Sequence, residues 1–265
     1  MSIIDILEVF INEFAKENIL LKSLIIGIIP AVLTTLGAIP ALIGIRTKEW
    51  LIDASLGFSA GIMIVASFTS LLIPALNQGS FTEVMLGFLC GVLLVIVLNR
   101  LLPHEHLLKG YEGPIKLRKR LQSAWLIALA LIIHNIPEGM AIGASLVDNL
   151  SSGIIMSIAI GIQDFPEGFA TALPLIVTQR KAKTGFMIAF LSGISETLMC
   201  VFATALASIA IYLLPFLLSL AAGAMIFVTS HEVIPETHRY GHEMHASMGL
   251  IAGFITMLFL DTILR

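Results

Sequence analysis

Long apolar runs separated by short polar segments dominate the chain. A membrane-crossing helix needs roughly 20 apolar residues at 1.5 Å each, and the pattern predicts eight of them. The first three cover 23–45, 54–76 and the shorter 84–98. The fourth and fifth cover 121–147 and 150–178. The stretch 184–234 is too long for one crossing and divides around Tyr212 and Pro215 into the sixth and seventh, and the eighth is 246–260. Ahead of them, Ile3, Leu7, Phe10 and Phe14 form one stripe of an amphipathic tail over 1–22, suited to lying in the interface plane. The expected architecture is all-α, a polytopic eight-helix membrane domain over 23–265 with its longest loop at 99–120.

Composition agrees with this reading. The chain is 57% hydrophobic and 12% charged, with a mean hydropathy of +0.98, whereas soluble domains carry about 25% charged residues. Such a chain belongs in a lipid bilayer and offers no basic surface for nucleic acid. Cys90 and Cys200 both lie inside apolar runs, so neither reads as half of a disulfide or as a thiolate ligand. The acidic start (Asp5, Glu8, Glu13, Glu17) lacks the basic n-region of a signal peptide. Arg46 and Lys48, then Arg100, Lys109, Lys116, Arg118, Lys119 and Arg120, then Arg180, Lys181 and Lys183, and finally Arg239 all fall in alternate loops. That places 12 of the 15 basic residues on one side. By the positive-inside rule this side is the cytoplasm, and both termini are extracytoplasmic.

Two polar cassettes interrupt the greasiest part of the chain: H-N-I-P-E-G at 134–139 and Q-D-F-P-E-G at 163–168. An ionisable group at the bilayer centre costs about 2.5–3.5 kcal/mol on insertion scales, and the surrounding runs hold no Lys or Arg. Residues four apart share a helix face, so His134 with Glu138, and Gln163 with Glu167, point the same way, with Asn135 and Asp164 on the adjoining edge. Pro137 and Pro166 free backbone carbonyls one turn earlier, and Gly139 and Gly168 allow close helix approach. A tight 4–5 loop makes the two helices antiparallel neighbours and brings the faces together. Two carboxylates 4 Å apart repel by about 4 kcal/mol at an effective dielectric near 20, and a divalent cation relieves this. The nitrogen and oxygen donors suit Zn²⁺, Fe²⁺, Mn²⁺, Co²⁺ or Cd²⁺ better than Cu⁺.

Glu196 in the sixth span is also remote from any basic residue and is expected at the cluster. His231 and Glu232, closing the seventh span with Glu236 one turn later, read either as a relay toward the cytoplasm or as helix-end residues reaching the interface. His104 and His106, and His238, His242 and His245 with Glu243, lie in expected cytoplasmic loops. A faint repeat links Gly61, Met63, Thr69, Ser70 and Pro74 to Gly223, Met225, Thr229, Ser230 and Pro235. The two copies cross in opposite directions, the mark of an inverted repeat.

These motifs resemble those of the ZIP (Zrt/Irt-like) divalent metal transporters, in their prokaryotic GufA-like branch. The resemblance covers essentially the whole chain. It implies a 3+2+3 arrangement in which spans 1–3 and 6–8 are inverted repeats around spans 4 and 5. It also implies metal entry into the cytoplasm across the cell membrane, a homodimer, and no organic cofactor. Carried over by position, it implies one ion held by His134, Glu138, Gln163 and Glu167, and a second by Asn135, Glu138, Asp164, Glu167 and Glu196. His231 and Glu232 fall on the release path. Many family members begin the span-five motif with His-Glu, where this chain has Gln163 and Asp164. The competing expectation is a zinc-dependent intramembrane hydrolase, but the H-E-x-x-H signature is absent.

Overall fold

The computed structural model describes residues 3–43, 48–102, 104–106, 110–112, 123–177, 182–238 and 241–263. The chain opens with α1 (Ile3–Ala15), α2 (Ile19–Gly37) and the one-turn α3 (Ile39–Leu42). Helix α4 (Glu49–Ala66) runs through a π-helical stretch (Ser67–Leu72) into α5 (Ile73–Gln78), and α6 (Phe81–Leu101) follows. Strands β1 (His104–His106) and β2 (Gly110–Glu112) pair antiparallel. Three long helices come next: α7 (Ser123–Asp148), α8 (Leu150–Val177) and α9 (Ala182–Ile209). A 3-10 turn (Ile211–Leu213) leads to α10 (Leu214–Val228), a second π-helical stretch (Thr229–Val233), α11 (Ile234–Thr237) and α12 (Glu243–Ile263).

Among the described residues, six stretches are long and apolar enough to cross a membrane: Ile19–Leu42, Glu49–Gln78, Phe81–Leu101, Ala182–Ile209, Ile211–Thr237 and Glu243–Ile263. The cassette helices α7 and α8 pack among them. Local chemistry sets the boundaries. Asn18 caps α2 by accepting from the Leu21 amide, Ser80 caps α6 by accepting from Glu83 N, and Asn149 accepts from Ser152 N at the start of α8. The division expected near Tyr212 is the 3-10 turn, with Pro215 in the first turn of α10, where its missing N–H is harmless.

Small residues set the packing. A Cβ on Gly57 or Gly61 of α4 would collide with the backbone of Ala246 or Leu250, and one on Gly249 or Gly253 of α12 with Ala54 or Phe58. Contacts rise together along both chains, so α4 and α12 are parallel. Gly87 and Gly91 meet Phe216 and Leu220, and Gly223 meets Phe88, so α6 and α10 are parallel too. Gly79, just after α5, touches Pro215 at the start of α10, so α4 and α10 run in opposite directions. A second group comprises α2, α7, α8 and α9. In it Gly27 packs on Thr197 and Gly193 on Ala31, making α2 and α9 antiparallel.

Counterparts on the paired helices keep a spacing of 162 positions (249 minus 87, for example), which sets Ser70 against Glu232 and not against Ser230 as the sequence echo suggested. Gly61 and Gly223, Met63 and Met225, Gly91 and Gly253, Ala31 and Gly193, and Thr34 and Glu196 all obey it. Ser67 donates to Met63 O, and its counterpart Thr229 donates to Met225 O. The one-residue gap between the repeats falls at the π-helical stretches, six residues long in the first copy and five in the second.

Helix α1 buries Ile4, Ile11 and Ala15 and packs on α2 and α8, while Phe10 and Phe14 of the expected stripe stand exposed. Helix α6 reaches Leu101, so Asn99 is helical and not in a loop. Residues 107–109 and 113–122 of the expected long loop, with most of its basic residues, lie outside the described residues.

Candidate metal centre

Helices α7 and α8 meet at Asn149, whose cap forces an immediate reversal. His134 lies 14 positions before the end of α7 and Gln163 lies 13 after the start of α8. The cassettes therefore face each other at one depth, and the Gln163 amide donates to Glu138 Oε1.

The cassette glycines bring in the flanking helices. A Cβ on Gly139 would strike the Glu196 carbonyl, and one on Gly168 the Thr34 carbonyl. The first close approach brings α9 with Glu196; the second brings α2 with Thr34. Both side chains end beside Asp164. Thr34 Oγ1 lies 3.2 Å from Asp164 Oδ2, and the buried Glu196 carboxylate neighbours Asp164 without a hydrogen bond between them. Thr34 and Glu196 are repeat counterparts, so this one carboxylate is flanked from both halves.

Glu138, Asp164 and Glu167 are buried and offer oxygens that all lie within 4.8 Å of one another. None of Glu138, Asp164 and Glu196 pairs with a Lys or Arg among the described residues. Glu138 Oε2, Gln163 Oε1 and both Glu196 oxygens are buried without a hydrogen-bond donor. Burying polar atoms unsatisfied costs about 1–3 kcal/mol each. A set of inward-facing, donor-starved oxygens is what a divalent cation fits. Asn135, also buried, donates its Nδ2 amide to Ser192 O at 3.1 Å.

The remaining expected residues are less central. His134 is half-buried, and its Nδ1 lies 3.3 Å from Glu232 Oε2. Glu232 is buried and its Oε1 accepts from Asn99 Nδ2 at 2.7 Å. His231 is exposed and stacks on Phe227 with ring centroids 5.0 Å apart. The structure does not bring it to the cluster, because consecutive positions on a helical turn face different ways. The Asp53 and His242 side chains meet at 2.8 Å where α4 and α12 begin, away from the cluster.

Sequence reasoning missed three contributors. Ser59 of α4 donates to Gln163 O at 3.0 Å and lies against the Glu167 carboxylate. Thr34 back-bonds within its helix, to Pro30 O, and also reaches Asp164. Asn99 was not singled out at all. The 162-residue spacing, which pairs Thr34 with Glu196 and Asn99 with Asp261, is the signal that marks two of them.

The cluster is reached unequally from its two ends. Toward the α7–α8 reversal lie Met63, Ala66, Met156 and Ile160, all fully buried in one apolar core. Toward the opposite end, polar groups continue through His134, Glu232 and Asn99.

The sequence profile described as "ZIP Zinc transporter" matches residues 110–261. The chain is 44% identical over 246 residues to Zinc transporter ZIPB of Bordetella bronchiseptica, covering 87% of this chain and 77% of that protein. It is 36% identical to Zinc transporter GufA of Myxococcus xanthus, over 90% of this chain and 97% of the relative. To Zinc transporter ZupT of Clostridium perfringens it is 30% identical, over 91% and 95%.

Proposed function

Because the chain belongs to the ZIP family of zinc transporters, in its GufA-like branch, we propose that it carries Zn²⁺ or a similar divalent cation through the membrane into the cytoplasm by way of the buried carboxylate cluster. The family is one of transporters, not enzymes, and nothing in the site favours the hydrolase reading. The observation that carries the proposal is the convergence of Glu138, Asp164 and Glu167 within 4.8 Å, with further buried oxygens left without donors.

One ion is held by His134, Glu138, Gln163 and Glu167, and a second by Asn135, Glu138, Asp164, Glu167 and Glu196, with Glu138 and Glu167 bridging. The ion is cargo, so the residues need only neutralise it, strip its water and let it go. Carboxylates and amides from α7, α8 and α9 replace the hydration shell, and the donors Thr34 and Ser59 keep Asp164 and Glu167 aimed inward. Release proceeds toward the Glu232 end, where polar groups continue, while the Met63–Ile160 core closes the other way. His231, facing outward, takes no part in the site in this conformation. Eight spans in a 3+2+3 order, both termini outside the cytoplasm, a cell-membrane location and a homodimer complete the reading. The 162-residue spacing and the opposed directions of α4 and α10 support the inverted repeats. The two helix groups then move against each other to alternate access.

Tracer Zn²⁺ or Cd²⁺ uptake into proteoliposomes tests this. Wild type takes up metal saturably, and Glu138→Ala and Glu167→Ala abolish it. Saturable flux untouched by either substitution overturns the proposal.

A further inference from the structure

A cavity of about 430 Å³ lies between α2 and α9, apart from the metal centre. Its two walls repeat each other. Ile28, Val32 and Leu36 on α2 have Phe190, Ile194 and Leu198 as their counterparts on α9, each pair 162 positions apart. The helices are antiparallel and cross closely, because Gly193 meets Ala31 and Gly27 meets Thr197. All six wall residues are exposed, so the groove opens outward along two spans that hydrocarbon surrounds. The polar wall residues are turned to their own backbones. Thr35 Oγ1 donates to Ala31 O at 2.8 Å and Thr197 Oγ1 to Gly27 O at 2.7 Å, so neither hydroxyl is left to donate to an occupant.

We infer that this groove seats one acyl chain of an anionic phospholipid whose headgroup sits on Lys183. Leu24 and Leu36, which both line the cavity, are about 18 Å apart along α2. That is more than half of a hydrocarbon core about 30 Å thick. A helix of that length, about 10 Å across, occupies about 1,400 Å³, so the cavity takes a flexible chain and not a second helix. The walls match, but the ends do not. One face of α9 runs from Leu198 through Ile194, Phe190 and Met187, all exposed, to Lys183. Lys183 is exposed as well and pairs with no acid among the described residues. Its counterpart at the other end of the groove is Leu21. The adjacent Lys22 is turned to α1, where it donates to Asn12 Oδ1 at 2.6 Å. One end thus offers an ammonium and the other a leucine, and an anionic headgroup is drawn to the first. That this end faces the cytoplasmic leaflet rests on the orientation proposed above; the binding itself does not. Thr35 and Thr197 directly follow Thr34 and Glu196 in the chain, so the seated chain lies behind the two residues that flank Asp164.

The test mixes the full chain in detergent with equal excesses of palmitoyl-oleoyl phosphatidylglycerol or palmitoyl-oleoyl phosphatidylcholine and counts retained lipid by native mass spectrometry. Wild type is expected to retain one phosphatidylglycerol per chain and to prefer it by about fivefold, the contribution of one lysine near an anionic surface. Lys183→Gln is expected to lower that preference below about twofold. Val32→Trp fills the groove from an exposed position and is expected to lose the retained lipid of either kind. Leu89→Trp, similarly exposed on α6 and outside the groove, is expected to keep it. Equal retention of both lipids by wild type, an unchanged preference in Lys183→Gln, or retention that Val32→Trp and Leu89→Trp affect alike overturns the inference. Lys183→Gln lies at an exposed helix end and carries the test if Val32→Trp does not elute as a single species. None of these readings involves metal flux, so loss of saturable uptake in wild-type proteoliposomes defeats the transport reading alone.

Discussion

Replacing Glu138 by Gln should do two opposite things to stability, and together they separate an ion site from ordinary packing. Glu138, Asp164 and Glu167 hold oxygens within 4.8 Å of one another. At that distance and an effective dielectric near 20, each ionised pair repels by about 3.5 kcal/mol. The substitution removes two of the three pairs and turns a donor-starved oxygen into an amide that can donate to its neighbours. The acceptor for the Gln163 amide survives. Side-chain relaxation relieves part of the repulsion, so the metal-free gain should be about 1–3 kcal/mol, a fraction of the Coulomb sum. For a chain of this size each kcal/mol moves the midpoint by roughly 2–4 °C, so the chelated variant should melt roughly 2–12 °C above wild type. Zinc at about 100 times its Kd should stabilise wild type by about 2.7 kcal/mol and leave the variant nearly unmoved. Thermal scans of detergent-purified protein by size-exclusion elution, with chelator and with Zn²⁺, read both effects. A variant that melts below wild type in chelator yet keeps the full zinc shift refutes the reasoning, and Glu138 is then a packing residue.

Thr34→Val keeps the shape but removes the donor to Asp164, and should raise the Zn²⁺ KM by about tenfold in proteoliposome uptake. Gly168→Val drives a side chain into the Thr34 carbonyl and should cost about 1–3 kcal/mol or more, read as a lower melting midpoint. Gln78 Nε2 donates to Asp148 Oδ1 at 2.7 Å, tying the end of α5 to the end of α7. A Gln78→Cys, Asp148→Cys double variant bridged by a short thiol cross-linker should therefore stop uptake, and a reducible cross-linker should restore it on reduction. Uptake that continues unchanged through the bridge shows that these two ends do not separate during transport.

The cassettes were legible because Pro, Glu and Gly in one apolar run have few packing reasons to be there together. Their spacing alone placed Glu138 beside Gln163 and brought Asp164 and Glu167 to the same depth. The division at Tyr212 followed from run length and a proline. Ser59, Thr34 and Asn99 were not legible: neutral hydroxyls and amides in membrane helices ordinarily satisfy themselves on their own backbone, and the partners here are 104, 130 and 133 positions away. His231 and Glu232 look equivalent in sequence, but one turn of π-helix gives them opposite surroundings.

The echo between the two halves has a mechanical corollary. On the proposed inverted-repeat reading, the second half repeats the first upside down, and the chain then owns, for any distortion that opens it at one end, a mate of closely similar energy that opens it at the other. The bias between those shapes is then left to the few sites where the halves disagree, such as Thr34 against Glu196, Ser70 against Glu232 and Asn99 against Asp261. Exchanging those pairs is the smallest edit that should tilt the molecule toward its other mouth.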